Sequence, residues 1–399
     1  MNRFKISALI VIAICYCVFM SACTKVQTKK IENNLAGEEL STLNQNIDAT
    51  GTLLGNSVDI DDLYSIAGDP GLDELLKPNR GAAYVYNRTT TGTVWTQRAI
   101  LKNANGKAND NFGYVVTING NYAAATTTDS IYVFKRSLGN FWVQTAAIVP
   151  PNLPSGCFCA SSLDLYGDIL VVGQPSREIG GNIQVGAVYI FKRVNERWNH
   201  QKTILSPNNQ EGDRFGSSVA IHKNWIIIGS RGHHEASHGG KAYAYLQFVD
   251  NWLQQATLIP TDIQYLDNYG GSVDIWGEYV IVGADQETSN GSRKGSAYVF
   301  KRTGADWAQQ AKLLSPDNLN NANFGRTVAI NNSYAIVAAD KWENASVYTF
   351  KRNGTSWPFF RSDDTPTPSS ANFAWKIAMD STRHYITGNI GSLSFGTNY

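Results

Sequence analysis

The chain has 399 residues, of which 43% are hydrophobic and 17% charged, and a formal net charge of +1. Such a chain can bury a large core, and it lacks the excess of positive charge that a nucleic-acid-binding surface needs, so no nucleic acid is expected as a partner. The 35 glycines, an aromatic share of 11% and short apolar runs point to many strands and tight turns rather than long helices.

Residues 1–23 read as a signal segment. Met1-Asn2-Arg3-Phe4-Lys5 is a positive start, and Ile6 to Met20 is an apolar run of 15 residues, too short for a comfortable membrane span. The run ends at Met20-Ser21-Ala22-Cys23, which resembles the bacterial lipobox. The resemblance implies lipidation of Cys23 as the mature N-terminus, and the absence of an aspartate directly after it resembles outer-membrane sorting. The expected location is therefore the bacterial cell envelope, with contact to the membrane through the lipid anchor only. Residues 24–35 are polar and read as a tether. Cys157 and Cys159 lie too close in sequence for an unstrained mutual disulfide and have no further cysteine for a thiolate metal site. They read as free, partly buried thiols.

The rest of the chain, residues 36–399, is repetitive. The stretch YVFKR at Tyr132–Arg136 recurs at Tyr298–Arg302, and nearly so at Tyr189–Arg193 and Tyr348–Arg352. It is one station of a longer unit. An opening pair recurs at Leu54-Gly55, Phe112-Gly113, Cys159-Ala160, Phe215-Gly216, Tyr269-Gly270, Phe324-Gly325 and Phe373-Ala374, at intervals of 58, 47, 56, 54, 55 and 49 residues. A tryptophan follows YVFKR or its equivalent at positions 95, 142, 198, 252, 307 and 357. Each unit offers four short apolar runs, strands a to d, joined by turns such as Asn119-Gly120, Tyr166-Gly167 and Trp276-Gly277. A four-stranded sheet with two apolar faces must stack on neighbours, and radial stacking buries all of them. The fold class expected is all-β, a seven-bladed β-propeller of four-stranded antiparallel blades. The last unit stops at Tyr399 with three strands, at 376–379, 384–387 and 392–395. The segment 36–44 is therefore expected to close the ring as its fourth strand.

The stations Phe-Gly, Val-Val-Gly-x-Pro at 171–175 and Gly-Ala-Val-Tyr-Ile-Phe at 186–191 resemble the FG-GAP repeat of integrin alpha subunits, over residues 45 to 399. The resemblance implies a propeller and, for function, recognition of a protein or glycan at a cell surface. It departs from integrins in one respect. Integrin repeats carry a calcium loop between strands a and b, whereas here that link is a tight turn such as Lys223-Asn224 or Asn331-Asn332, with too few oxygens for a hard cation. No calcium site of that type, and no cofactor, is expected.

Two features bear on chemistry. His234-Glu235-Ala236-Ser237-His238 spells H-E-x-x-H, but it sits in a Gly-flanked b-to-c loop without a helical pattern and reads as an exposed polar loop, not a zinc centre. Asp59, Asp164 and Asp274 share one position on strand a, the innermost strand. They read as channel-lining or turn-bonding groups, and the alternative is a cation site or the acid/base pair of a carbohydrate-active propeller enzyme. No nucleophile elbow, phosphate-binding loop or dinucleotide fingerprint occurs.

Strands alternate in direction, so b-to-c and d-to-a links share one face and the short a-to-b and c-to-d turns share the other. The long-loop face, with Asp69 to Arg80, Arg177 to Ile183, Arg231 to His238 and Gln286 to Lys294, is the expected recognition surface of a monomeric, non-enzymatic binding protein. The Lys-Arg pairs of YVFKR are expected on the opposite, tether side, where they touch an anionic membrane surface weakly.

Overall fold

The computed structural model describes residues 41–43, 53–89, 94–152, 160–232, 239–289, 292–317, 320, 322–339, 346–364, 376–380, 384–389 and 392–397. The signal segment with Cys23, the tether, Cys157, Cys159, the H-E-x-x-H loop and the Phe373-Ala374 station lie outside the described residues.

The protein is an all-β propeller of four-stranded antiparallel blades. Six sheets each use four strands in chain order, the first being Ser57–Asp61, Tyr64–Asp69, Ala82–Asn87 and Thr96–Leu101. The seventh four-stranded sheet orders Ser41–Leu43 beside Ser392–Thr397, then His384–Asn389 and Lys376–Met379. Ser41 pairs with Phe395, Thr42 with Ser394 and Leu43 with Leu393.

Burial explains the sequence pattern of each strand. In the first six sheets strand b is buried at every position, as in Ile169–Gln174 and Trp225–Ser230, because both its faces meet neighbouring sheets; hence it reads as an unbroken apolar run. Strand d is the outer edge and alternates, as in Thr96–Leu101. On YVFKR, Phe134 packs with Tyr64 and Ile66 of the first sheet, while Val133 packs with Leu163 and Leu170 of the third. The period of two thus sends one strand's side chains into two different cores. Each core is an interface, and one of them joins Leu54, Val58 and Ile60 of the first sheet to Leu393 of the last.

The opening station locks one blade to the next. Phe112, Phe215, Tyr269 and Phe324 have no exposed surface, and each makes a parallel bridge to the glycine before strand c of the preceding blade. The following glycine carries φ near +90°, as at Gly113 (89°) and Gly325 (97°), a region that side chains rarely adopt. The Val-Gly station completes the contact: a Cβ on Gly283 would lie 2.0 Å from the carbonyl oxygen of Gly325 in the next blade. Phe-Gly and Val-Gly recur together because they are two halves of one backbone contact.

The Lys-Arg pairs serve the same interfaces. The Arg136 guanidinium lies 3.9 Å from the ring centre of Tyr64, which opens strand b of the preceding blade, and the stack recurs as Arg193 on Tyr122 (4.1 Å), Arg302 on Trp225 (4.9 Å) and Arg352 on Tyr279 (5.2 Å). The repeated tryptophans close on the same rings, with Trp142 6.3 Å from Tyr64 and Trp307 5.5 Å from Trp225. Lys135 bonds Glu196 and Lys192 bonds Asp250, each on the next blade. The arginines of the basic pairs thus have a role that the expectation of a membrane contact did not include: they are half-buried clasps between blades.

Candidate functional site

The innermost strands of all seven sheets border one cavity of about 750 Å³, the central channel. Asp59, Asp164 and Asp274 stand on its wall as expected from their shared repeat position, and each uses its carboxylate in the same way. Oδ1 accepts the N–H of the following residue, Ile60 at 2.8 Å, Leu165 at 2.7 Å and Ile275 at 2.7 Å. Oδ2 accepts an N–H from the inner strand of the next blade, Ile118 at 2.8 Å, Ile221 at 2.7 Å and Ile330 at 2.7 Å. The carboxylates are therefore clips across the first, third and fifth interfaces. Thr117, which occupies the same position on the second blade, escaped sequence reasoning; its hydroxyl donates to Asp59 Oδ2 at 2.8 Å and lies 3.5 Å from Asp164 Oδ1. The signal was present, since aligning the units puts Thr117 in the Asp column.

Burial pushes the Asp59 carboxyl up to about 7 and the Asp274 carboxyl up to about 6, although the N–H donors favour the charged form. Asp164 is raised by burial first and by the neighbouring Asp59 charge second. Chemically, these groups titrate in a polar channel while one lone pair of each oxygen is committed to the wall. His222, at the far end of the fourth inner strand, is wedged between Tyr166 (5.1 Å) and Trp276 (4.3 Å), and burial holds it down at about 4. Among the described residues, no three His, Cys, Asp or Glu side chains converge as a metal centre.

The long-loop face is built, not loose. Asn109 and Asn111 donate their N–H groups to Pro78 and Asn79, and Gly212 and Arg214 donate to Ile183 and Gln184, so b-to-c loops are fastened to the adjoining d-to-a links. Several residues expected on display are structural. Asp69 ends strand b with no exposed surface and accepts the Leu53 N–H at 2.6 Å; Arg80 bonds the Asn103 carbonyl at 2.8 Å; Arg177 bonds the Tyr189 hydroxyl at 2.6 Å; buried Glu287 pairs with Lys312 at 3.0 Å. What remains displayed is the tips. Glu74 and Lys77 exchange both backbone hydrogen bonds, which thrusts Leu75 and Leu76 outward, 89% and 93% exposed, with Leu76 held at a φ of 61°. The equivalent tip of the third blade, between Ile179 and Asn182, uses Gly180 and Gly181.

Fold and site together define a propeller with a polar, clipped channel and one elaborated face. Three stretches of the chain, residues 198–245, 252–300 and 307–350, match the model of the FG-GAP repeat family. No curated protein matches the chain in sequence. Among solved structures, Kluyveromyces lactis Hsv2 is similar at 12% identity, with 87% of this chain and 94% of that chain covered and a TM-score of 0.52. Kluyveromyces marxianus Hsv2 is similar at 13% identity, covering 85% and 90%, with a TM-score of 0.51. A protein from Lactobacillus plantarum is similar at 12% identity, covering 77% and 84%, with a TM-score of 0.50. At such identities the likeness concerns the fold alone.

Proposed function

We propose that the protein is a non-enzymatic binding propeller, held at the bacterial cell envelope by a lipid on Cys23, that captures a partner on its long-loop face. The observation that carries this reading is the tip Leu75-Leu76. A leucine in the left-handed region is strained by roughly 1 kcal/mol, and its exposure forfeits the gain of burial. The repeat itself offers a relaxed solution at this tip, Gly180-Gly181, so the fold does not demand the leucines. An exposed apolar pair on a fastened hairpin suits a protein surface with an apolar recess, and favours a protein over a glycan as the partner. The ring is read as closed and seven-bladed, with Ser41–Leu43 as the outer strand of the last blade. The register of that strand on Ser392–Thr397 and the apolar cluster joining Leu54 to Leu393 support this.

The second reading is a carbohydrate-active enzyme using the channel carboxyls, favoured by the raised Asp59 and Asp164. It must explain how groups that clip the wall also reach a substrate. The test combines Leu75→Ser with Leu76→Gly and exchanges the long loops. Binding to a cell-surface protein or glycan should be lost in the loop variants while thermal stability is kept or slightly raised. If every loop exchange leaves binding intact and Asp59→Asn abolishes it, the channel is the site and the loop reading fails.

A further inference from the structure

The mouth of the channel on the long-loop face is not uniform around the ring. Four consecutive blades send one charged side chain each to a small recess of about 120 Å³, which shares Gly271, Thr327 and Lys376 with the channel wall. Arg231 follows strand b of the fourth blade, Asp285 follows strand b of the fifth, Arg326 precedes strand a of the sixth, and Lys376 opens strand a of the last.

Each cation departs from the repeat. Lys376 pairs opposite Gly388, as Ser57, Ser162 and Ser272 pair opposite Gly68, Gly173 and Gly283, so it stands in a serine column. Those serines have structural work: Ser57 and Ser272 accept the N–H groups of Val116 and Val328 in the next blade, and Ser162 donates to the Gly216 carbonyl. Arg326 follows the opening Phe-Gly, where other blades carry Asn56, Tyr114, Ser217 and Gly271. Arg231 stands where the first and third blades carry Pro70 and Pro175. The scaffold is built without these three charges, yet they converge.

Asp285 answers part of their mutual repulsion. It is 3.5 Å from Arg326, a long ion pair, and burial holds the Asp285 carboxyl above its ordinary value. Lys376 is lowered by desolvation first and then by the charges of Arg326 and Arg231, so its ammonium sits in a positive field. Three donors of this kind, two guanidiniums and an ammonium lining one recess, supply the charge-assisted bonds that a tetrahedral oxyanion accepts. A water occupies roughly 30 Å³ of liquid, so a recess this size admits one such ion with a little solvent.

We propose that Arg231, Arg326 and Lys376 form a binding site for one phosphate- or sulfate-class oxyanion, free or as the terminal group of a larger ligand. The site stands whether or not the hairpin tips above it hold a partner. Asp285 orients Arg326 and tempers the field, so neutralising it strengthens binding.

The test is calorimetric titration of the whole protein at low ionic strength with inorganic phosphate, inorganic sulfate and a sugar 6-phosphate, with chloride as control. Saturable one-to-one binding is expected, weakened at least tenfold by Lys376→Ser and by Arg326→Ser and strengthened by Asp285→Asn. Lys376→Ser restores the residue that other blades use, so its fold is expected to hold, and a circular dichroism melt verifies this. Tighter binding of the sugar phosphate assigns the site to a ligand's terminal group, and equal binding assigns it to the free ion. Absence of saturable binding by all three probes, or equal affinity in folded Lys376→Ser and Arg326→Ser proteins, overturns the proposal.

Discussion

The arginine clasps permit a quantitative test because the molecule contains its own control. Between the third and fourth blades the aromatic at the start of strand b is Ile169 and the arginine is Gln247, although the Gln247 N–H still donates to the Asn224 carbonyl as Arg136 does to Asn121. Both partners are changed together, and Trp252 then packs in the cluster that holds Ile169. If the pair is a unit, Arg136→Gln and Tyr64→Ile should cost far less together than the sum of each alone. Arg136 is half-buried and stacked at 3.9 Å, between the exposed and desolvated limits, so a coupling of about 1 to 1.5 kcal/mol is expected.

The Tyr64 hydroxyl also donates to Asn140 Oδ1 at 3.0 Å, which the ring stack does not require. Tyr64→Phe isolates that bond, and the cycle is then read with the Tyr64→Phe protein as reference and Tyr64→Ile as the substitution that removes the ring. Equilibrium urea unfolding of the four proteins measures the coupling, with m-values checked for constancy because repeat arrays can lose two-state behaviour. A coupling below about 0.3 kcal/mol would mean that the recurrent stacks are geometric by-products of strand register, and the clasp interpretation would fall.

Three further outcomes are expected. Gly283→Ala drives a methyl into the Gly325 carbonyl and should cost several kcal/mol or prevent folding, whereas Gly167→Ala, with nothing within 4 Å, should cost only about 1 kcal/mol for its φ of 59°; comparable melts for the two would refute the blade-locking role. Asp274 has a folded pKa raised to about 6, so the fold favours its protonated form and stability contributed below pH ~4 is lost as pH rises towards 6, by about 3 kcal/mol at most. Asp274→Asn should remove that slope between pH 4 and 6 in urea titrations, and an unchanged slope would contradict it. Deleting residues 24–44 removes the strand paired with Ser392–Thr397 and should lower the melting temperature sharply, while an unaltered melt would show that Ser41–Leu43 contributes nothing.

The scaffold was legible because propeller blades repeat their constraints. A buried strand needs an unbroken apolar run, and a tight backbone approach needs Phe-Gly, so both recur at fixed intervals wherever the chain passes them. The role of YVFKR was only half legible. Its alternation foretold that Val133 and Phe134 face different cores, but reading Lys135 and Arg136 as solvent-facing charges missed that their partners lie on another blade, nearly sixty or more residues away in sequence. One unit in isolation carries no sign of such a contact. Comparison of units does: Gln247 replaces arginine in the blade that faces Ile169, the one described strand-b opening from the second repeat through the sixth without an aromatic ring.

The same logic separates scaffold from function. In a repeat protein, a residue present in every unit serves what every unit does, which is to pack on its neighbours. Function that is performed once must sit where the units differ. The Asp column is filled only at Asp59, Asp164 and Asp274, but each carboxylate makes the same inter-blade hydrogen bond, so it ranks as scaffold first, although burial raises all three carboxyls. Leu75-Leu76 where the third blade has Gly180-Gly181, and Lys376 where four blades have serine, are departures that cost the fold strain or repulsion. Both lie on the long-loop side of the inner strands, one at a hairpin tip and one at the channel mouth, and both can be reverted to the repeat's own residue. A reversion that leaves stability intact or improved while binding disappears separates the two roles within one chain.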